Sequence, residues 1–311
     1  MAQLPNEQTR AHARTTSIFH AVVGWLILCA GIGFSVTLAR LVSGWFNLGS
    51  GGLSALQAIL VSALVVPVVL LLRRKVNHKS LKGLGLARRS MRAVTICVSV
   101  GLGTACLVWL LALWAGWLAI ENVDLAQLFM FIVVNALLLI FYEALPEELA
   151  LRGYAWTTIR ESWTPFFATL VVTALFPLSA VVISIMQTVS ALLLGVATSG
   201  IALVPPGNDP IAYFLQLIFF GLALSAARRI PIPGALAICI AFHVVQLSVN
   251  RILLGGFGWF ESGVTTVFVE PDAVALVLVH IMISGIAFLA IRKMMERSNA
   301  RKRGTTPLNE T

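Results

Sequence analysis

The sequence predicts an all-α protein, a polytopic membrane helix bundle of about eight transmembrane helices. Composition is the first reason: 59% of the 311 residues are hydrophobic and 11% are charged, with a mean hydropathy of +0.92, whereas soluble domains carry about 25% charged residues. The second is that apolar runs recur along the whole length, each near the ~20 residues a helix needs to cross the hydrocarbon core. They are continuous and do not alternate, which excludes a β-barrel. The third is that the basic residues gather in alternate connections.

The predicted spans are 17–41, 53–72, 93–119, 128–145, 164–198, 211–227, 232–250 and 273–291. The first follows a polar head, residues 1–16, that contains Arg10 and Arg14. It has no convincing small-residue cleavage pattern and reads as a retained span, with a cleaved signal peptide as the alternative. The fifth is long enough for one tilted or broken helix. Residues 1–12 and 298–311 read as disordered, and no internal repeat is visible. Cys29, Cys97, Cys106 and Cys239 all fall inside apolar runs without paired spacing. They read as small buried side chains and not as disulfides or zinc ligands.

A formal charge of +9 has a simpler cause than nucleic-acid binding, namely the retention of Lys and Arg on the cytoplasmic side of a membrane. With the amino terminus inside, all of the 22 Lys and Arg except Arg40 and Arg251 fall in the head, 73–92, 146–163, 228–231 and the tail 292–311. The outer connections carry Glu121, Asp124, Asp209, Glu261, Glu270 and Asp272, and Trp45, Phe46, Trp259 and Phe260 sit near water boundaries, where amphipathic rings settle. Loop 73–92 is the densest basic segment. It reads as a topology signal that also lies on anionic lipid at the cytoplasmic face.

The segment Phe141-Tyr142-Glu143-Ala144-Leu145-Pro146-Glu147-Glu148-Leu149-Ala150-Leu151-Arg152-Gly153-Tyr154 brings three carboxylates to the end of an apolar run. An ionisable group in a bilayer costs several kcal/mol unless paired or hydrated. Pro146 lacks the N–H that continues a helix, which predicts a break and a fresh helix starting near 146. Glu148 and Arg152 are then four apart and can pair, while Glu147 points elsewhere. The bland reading is an acidic helix start at the interface with one ion pair. Glu143, one turn back and still within the apolar run, favours a functional one.

In the seventh span His243, Gln246 and Asn250 share one helical face. Such a stripe is either interhelical packing glue or part of a site. His280 reads as a packing residue, and Ser184 and Gln187 are weaker candidates.

The run Glu147-Glu148-Leu149-Ala150-Leu151-Arg152-Gly153-Tyr154 resembles the Glu-Glu-x-x-x-Arg signature, usually followed by Gly-Tyr, of the CAAX protease and bacteriocin-processing (CPBP, or Abi) family of multi-span membrane endopeptidases. The likeness extends over residues 125–291, the CPBP-like domain, preceded by the amino-terminal helices of 17–124. It implies an intramembrane peptidase in which Glu147 activates water, Glu148 and Arg152 support it, and His243 stabilises the oxyanion. Two positions depart from the pattern. Phe176-Pro177-Leu178-Ser179-Ala180 has alanine where a histidine is expected, and the partner expected four residues after His243 is Leu247, with Asn250 a turn further on. Glu147 and His243 are the metal candidates for a divalent ion such as zinc, with His280 needed to complete a set. The implied substrate is a membrane-embedded or lipidated peptide or protein in the bacterial cytoplasmic membrane, with both termini cytoplasmic. A pseudoenzyme that binds such a peptide without cutting it is the alternative, and a transporter with a buried acid and histidine relay is a third.

Overall fold

Apolar side chains that pack against one another on one face and against acyl chains on the other turn each run into a helix, because a backbone in lipid must satisfy its own polar groups. The computed structural model describes residues 7–87, 91–198, 200–205, 207–254 and 260–304. Among them, eight helices are long and apolar enough to cross a membrane. They are α1 (Glu7–Phe46), α2 (Ser50–Val76), α3 (Met91–Trp114), α4 (Leu125–Arg160), α5 (Pro165–Leu194), α6 (Pro210–Arg228), α7 (Ala235–Leu253) and α8 (Leu276–Gly304). This is an all-α polytopic bundle. Large apolar side chains such as Leu110, Phe129 and Leu192 lie exposed on its surface, where lipid replaces water as the solvent.

Local chemistry sets several ends. Asp124, Thr164 and Asp209 accept hydrogen bonds from the N–H groups of Gln127, Phe167 and Ala212 at 3.0, 3.2 and 2.8 Å. Each N-cap holds a donor that the first turn leaves unpaired. Pro165 and Pro210 occupy first helical positions that need no N–H. Gly195 closes α5 with φ of 66°, a left-handed turn that glycine adopts without strain. The third span stops at Trp114, short of the predicted 119, because Gly116 turns the chain at φ 73°. Residues Leu118–Val123 (β1) then pair antiparallel with Val264–Phe268 (β2), Leu118 opposite Phe268. This short ribbon is an addition to the all-helical expectation.

Three further expectations are corrected. The chain does not break at Pro146: α4 runs from Leu125 to Arg160, with π-helical turns at Ile140–Ala144 and Leu149–Ala155 on either side of the proline. A widened turn relaxes the ladder that proline interrupts, so the helix continues. Residues 146–160 therefore continue α4, 161–163 turn the chain towards α5, and every residue of Leu149–Ala155 is buried. Residues 7–12 are also helical, because α1 starts at Glu7 and its first turns dock beside the end of α4. Ser162 and Trp163 donate to the carbonyls of Ala13 and Arg14, each at 3.3 Å, and the Arg14 guanidinium lies over the Trp163 ring. Residues 298–304 continue α8, while 1–6 and 305–311 lie outside the described residues, as does Trp259. Finally, Cys106 is exposed, unlike buried Cys29, Cys97 and Cys239.

The helices α1 and α5 run parallel, as two odd-numbered spans must. Trp25 Nε1 donates to Ser179 Oγ at 2.8 Å and, further along both helices, Thr37 Oγ1 donates to the Gln187 carbonyl at 3.3 Å. Gly33 lies between these contacts. A Cβ there would stand 2.6 Å from Met186 Cβ and 2.9 Å from the Gln187 backbone nitrogen. Gly33→Ala should therefore force the helices apart and destabilise the fold by about 1–3 kcal/mol. Gly103→Ala, where nothing lies within 4 Å of an added Cβ, should be neutral or slightly stabilising. Unfolding midpoints of the two variants in detergent would check the contrast.

Candidate active site

The three carboxylates of α4 leave the helix in different directions and meet different partners. Glu148 has no exposed surface. Its Oε1 accepts from Arg152 Nη1 at 3.0 Å and lies 3.1 Å from His243 Nδ1. The Glu148–Arg152 pair expected from their spacing is present, one turn apart on the same helix.

Glu143 is held from α7. Arg251 Nη2 donates to Glu143 Oε1 at 2.9 Å, and Arg251 Nη1 donates to Asn135 Oδ1 at 3.0 Å. Asn135 in turn donates to Ser248 Oγ at 2.9 Å. His243 Nε2 stands 3.9 Å from Glu143 Oε2, so one imidazole lies between two carboxylates. The order along the helices is Arg251, Glu143, His243, Glu148, Arg152, cation against anion throughout when the imidazole is protonated. Alternation is what allows so many ionisable groups to sit inside a membrane bundle.

Arg251 corrects the charge map. It is not a cation of the outer loop but a buried member of this array. Three of the assigned cytoplasmic cations are also structural. Arg152 is fully buried, Arg228 Nε donates to the Arg152 carbonyl at 3.0 Å, and Arg73 pairs with Glu161 at 2.8 Å. The guanidinium of Arg152 lies over the Phe176 ring, 4.5 Å from its centroid. Gly221 of α6 leaves room for it, since a Cβ there would meet Arg152 Nη2 at 3.3 Å.

Glu147 differs from its neighbours. It is half-buried and makes no hydrogen bond or ion pair among the described residues. It lines a cavity of about 480 Å³ together with Tyr142, Glu143, Ala180, Ser184, Gln187, Tyr213 and Arg40. Glu147 and Ala180 thus meet in one cavity, whereas His243 lies behind Glu143 and is not part of the lining. No hydrogen bond joins Glu147 to His243. A larger hollow of about 660 Å³ lies beside the β-ribbon, far along α4 from these groups, and its Asp124 carboxylate is occupied in capping α4.

The polar stripe of α7 is buried along its length. Gln246 Nε2 donates to Asn250 Oδ1 at 3.2 Å, so Asn250 is engaged within its own helix, two turns beyond His243. His280 faces the Gly101 carbonyl at 3.1 Å across the α3–α8 contact, where Thr104 and Ser284 also meet at 2.6 Å. Its contacts are those of a packing residue, and it is not part of the lining of the cavity that Glu147 faces. A zinc centre needs at least three protein ligands, and no group of three His, Cys, Asp or Glu among the described residues is placed to hold a metal ion. With one His243 nitrogen at Glu148 and the other facing Glu143, the donor set does not fit zinc.

Arg251, Asn135, Arg40, Tyr142 and Tyr213 are absent from the sequence-based site. A signal existed for two of them. Arg251 is eight residues after His243 and Asn135 eight before Glu143, spacings that recur on one helical face. The cavity-lining tyrosines and Arg40 carry no such signal. No protein-family model matches the chain, and no curated protein or solved structure is significantly similar to it.

The geometry separates the two adjacent glutamates by role. Arg152→Ala should strand the Glu148 carboxylate and cost about 3–5 kcal/mol, seen as loss of monodisperse protein after extraction. Glu147→Gln, which breaks no hydrogen bond or ion pair among the described residues, should extract and melt like the wild type. Matching losses in both would abolish the distinction.

Proposed function

We propose that the chain is an intramembrane peptidase of CAAX-protease type that hydrolyses a peptide bond of a membrane-associated peptide or protein slowly, with Glu147 as the base. The observation that carries the proposal is a carboxylate with no hydrogen bond or ion pair among the described residues that lines a cavity inside a bundle of membrane-spanning helices. A carboxylate in such a place is costly unless it serves a site. In the proposed step Glu147 takes a proton from a water molecule as its oxygen adds to the substrate carbonyl, and the same proton passes to the departing amide nitrogen. Tyr213 and Gln187, on other walls of the cavity, are the donors for the developing oxyanion. His243 holds Glu143 and Glu148 in place behind the wall.

The Glu-Glu-x-x-x-Arg signature supports this reading, and Ala180 limits it. The side chain that the resemblance places beside the base as a second imidazole is a methyl group in the cavity wall, so the water has one orienting partner in place of two. A positioned acid or base contributes roughly 10²–10⁴-fold. Ala180 also favours a second reading, in which the cavity binds the peptide without cutting it.

Purified protein in liposomes, given transmembrane and prenylated peptides and scored by mass spectrometry, tests both. Slow cleavage that disappears in Glu147→Gln and rises about tenfold or more in Ala180→His is the expected result. Binding with no cleavage above the Glu147→Gln level would select the second reading. Cleavage that survives Glu147→Gln would overturn the site.

We also assign both termini to the cytoplasmic side of a bacterial cytoplasmic membrane, on the distribution of exposed cations. Arg74, Lys75, Lys79 and Lys82 are exposed on one connection, where each adds about 1 kcal/mol of attraction to anionic lipid. In intact cells a membrane-impermeant maleimide should label Ile201→Cys, whereas Lys79→Cys should react only after permeabilisation. The reverse pattern would invert the assignment.

A further inference from the structure

The cavity has a direction. Its α5 wall is the stripe Ala180, Ser184, Gln187 and Ala191, which climbs about 16 Å towards the end of that helix. Its α1 wall rises in the same sense from Ile32 to Arg40, about 12 Å. The two helices are parallel, so both stripes lead to the end of the bundle that carries the α5–α6 connection, and Val196, Thr198, Ala202 and Val204 of that connection contribute to the lining. The basic connection 73–87 lies at the opposite end. Glu143 and Glu147 are thus at the inner end of a passage whose other end is Arg40, an exposed cation with no ion pair or hydrogen bond among the described residues. Among the described residues, Arg40 is the one Lys or Arg in the lining.

Resting on the peptidase reading, we infer that substrate enters this site from the membrane face opposite the basic connection, and that Arg40 selects peptides with an acidic flank. The charge gradient fixes the polarity of binding. A carboxylate side chain is attracted at the Arg40 end and repelled at the Glu147 end, so a peptide enters with its acidic residues outermost and its neutral, apolar stretch against Glu147. Glu143 does not alter the gradient, because Arg251 neutralises it at 2.9 Å. Arg40 is a specificity-determining residue in this scheme and takes no part in the reaction. The substrate class is a peptide segment presented on the α5–α6 side of the membrane, with acidic residues next to an apolar run.

Two measurements test the inference in ways that do not depend on hydrolysis. In sealed vesicles of known orientation, Gln187→Cys and Thr188→Cys should react with an impermeant maleimide from the same side as Ile201→Cys, with the wild-type chain as the blank. Reaction only from the Lys79→Cys side, or from neither side, would overturn the entry route. For selectivity, Glu147→Gln protein in nanodiscs is titrated with fluorescent octapeptides made of six alternating leucines and alanines after two aspartates or two asparagines. The aspartate peptide should bind about tenfold more tightly, the effect of one charged hydrogen bond. Arg40→Gln should remove that difference and Arg40→Lys should keep part of it. Equal binding of both peptides to the Arg40 protein would overturn the selectivity. Correct labelling and selective binding with no cleavage by the unmutated chain would leave this inference standing and remove the peptidase reading alone.

Discussion

A carboxylate with no exposed surface inside a lipid-embedded bundle must find its partners in protein, and the relative positions of α4, α6 and α7 follow from how Glu148 finds them. Its Oε1 takes Arg152 from the next turn of α4 and faces His243 from α7. Arg152 in turn needs the Phe176 ring on one side and the open backbone of Gly221 on the other, which brings in α5 and α6. Its carbonyl receives Arg228 at the end of α6. Few hydrophobic contacts in this protein are directional, because lipid is as apolar as the core. The ion pairs and hydrogen bonds around Glu148 supply the direction.

The same array extends to the other side of the imidazole. Glu143 and Arg251 repeat the pairing half a helix away, and Asn135 and Ser248 secure the guanidinium. Fixing α4 against α7 at several levels leaves α4 little freedom to rotate, and rotation is what would swing Glu147 out of its cavity. The π-helical turns on both sides of Pro146 act in the same direction. An α-helix turns 100° per residue, and a widened turn changes that phase, so the side chains of 143, 147 and 148 are distributed among partners that a regular helix would not offer them.

Within this framework the two adjacent glutamates are physically opposite. Glu148 is consumed by structure, whereas Glu147 makes no hydrogen bond or ion pair among the described residues and faces a cavity whose lining includes Ser184, Gln187, Tyr213 and Ala180. The methyl group of Ala180 is what tempers the proposed chemistry, since a cavity with a base and only neutral hydroxyl and amide donors beside it orients water less well than one with an imidazole. Polar groups climb one wall of the pocket towards Arg40.

The sequence by itself determined the eight spans, their alternation of charge, the Glu148–Arg152 pair and the burial of the His243, Gln246 and Asn250 face. Each depends on neighbours in the chain: length of an apolar run, a four-residue spacing, a helical period. Tertiary structure decided what depends on distance across the bundle. It joined Pro146 into a continuous helix, because packing around Leu149–Ala155 outweighs the local preference of proline for a first turn. It moved Arg251 from an outer loop to a buried ion pair, because Glu143 of α4 and not water is its nearest anion. It gave His243 to Glu148 and Glu143, and left Glu147 to the cavity, because the direction of a side chain around a helix is set by the phase of the turns before it. That phase changes at the π-helical turns, and no residue pattern along the chain announces them.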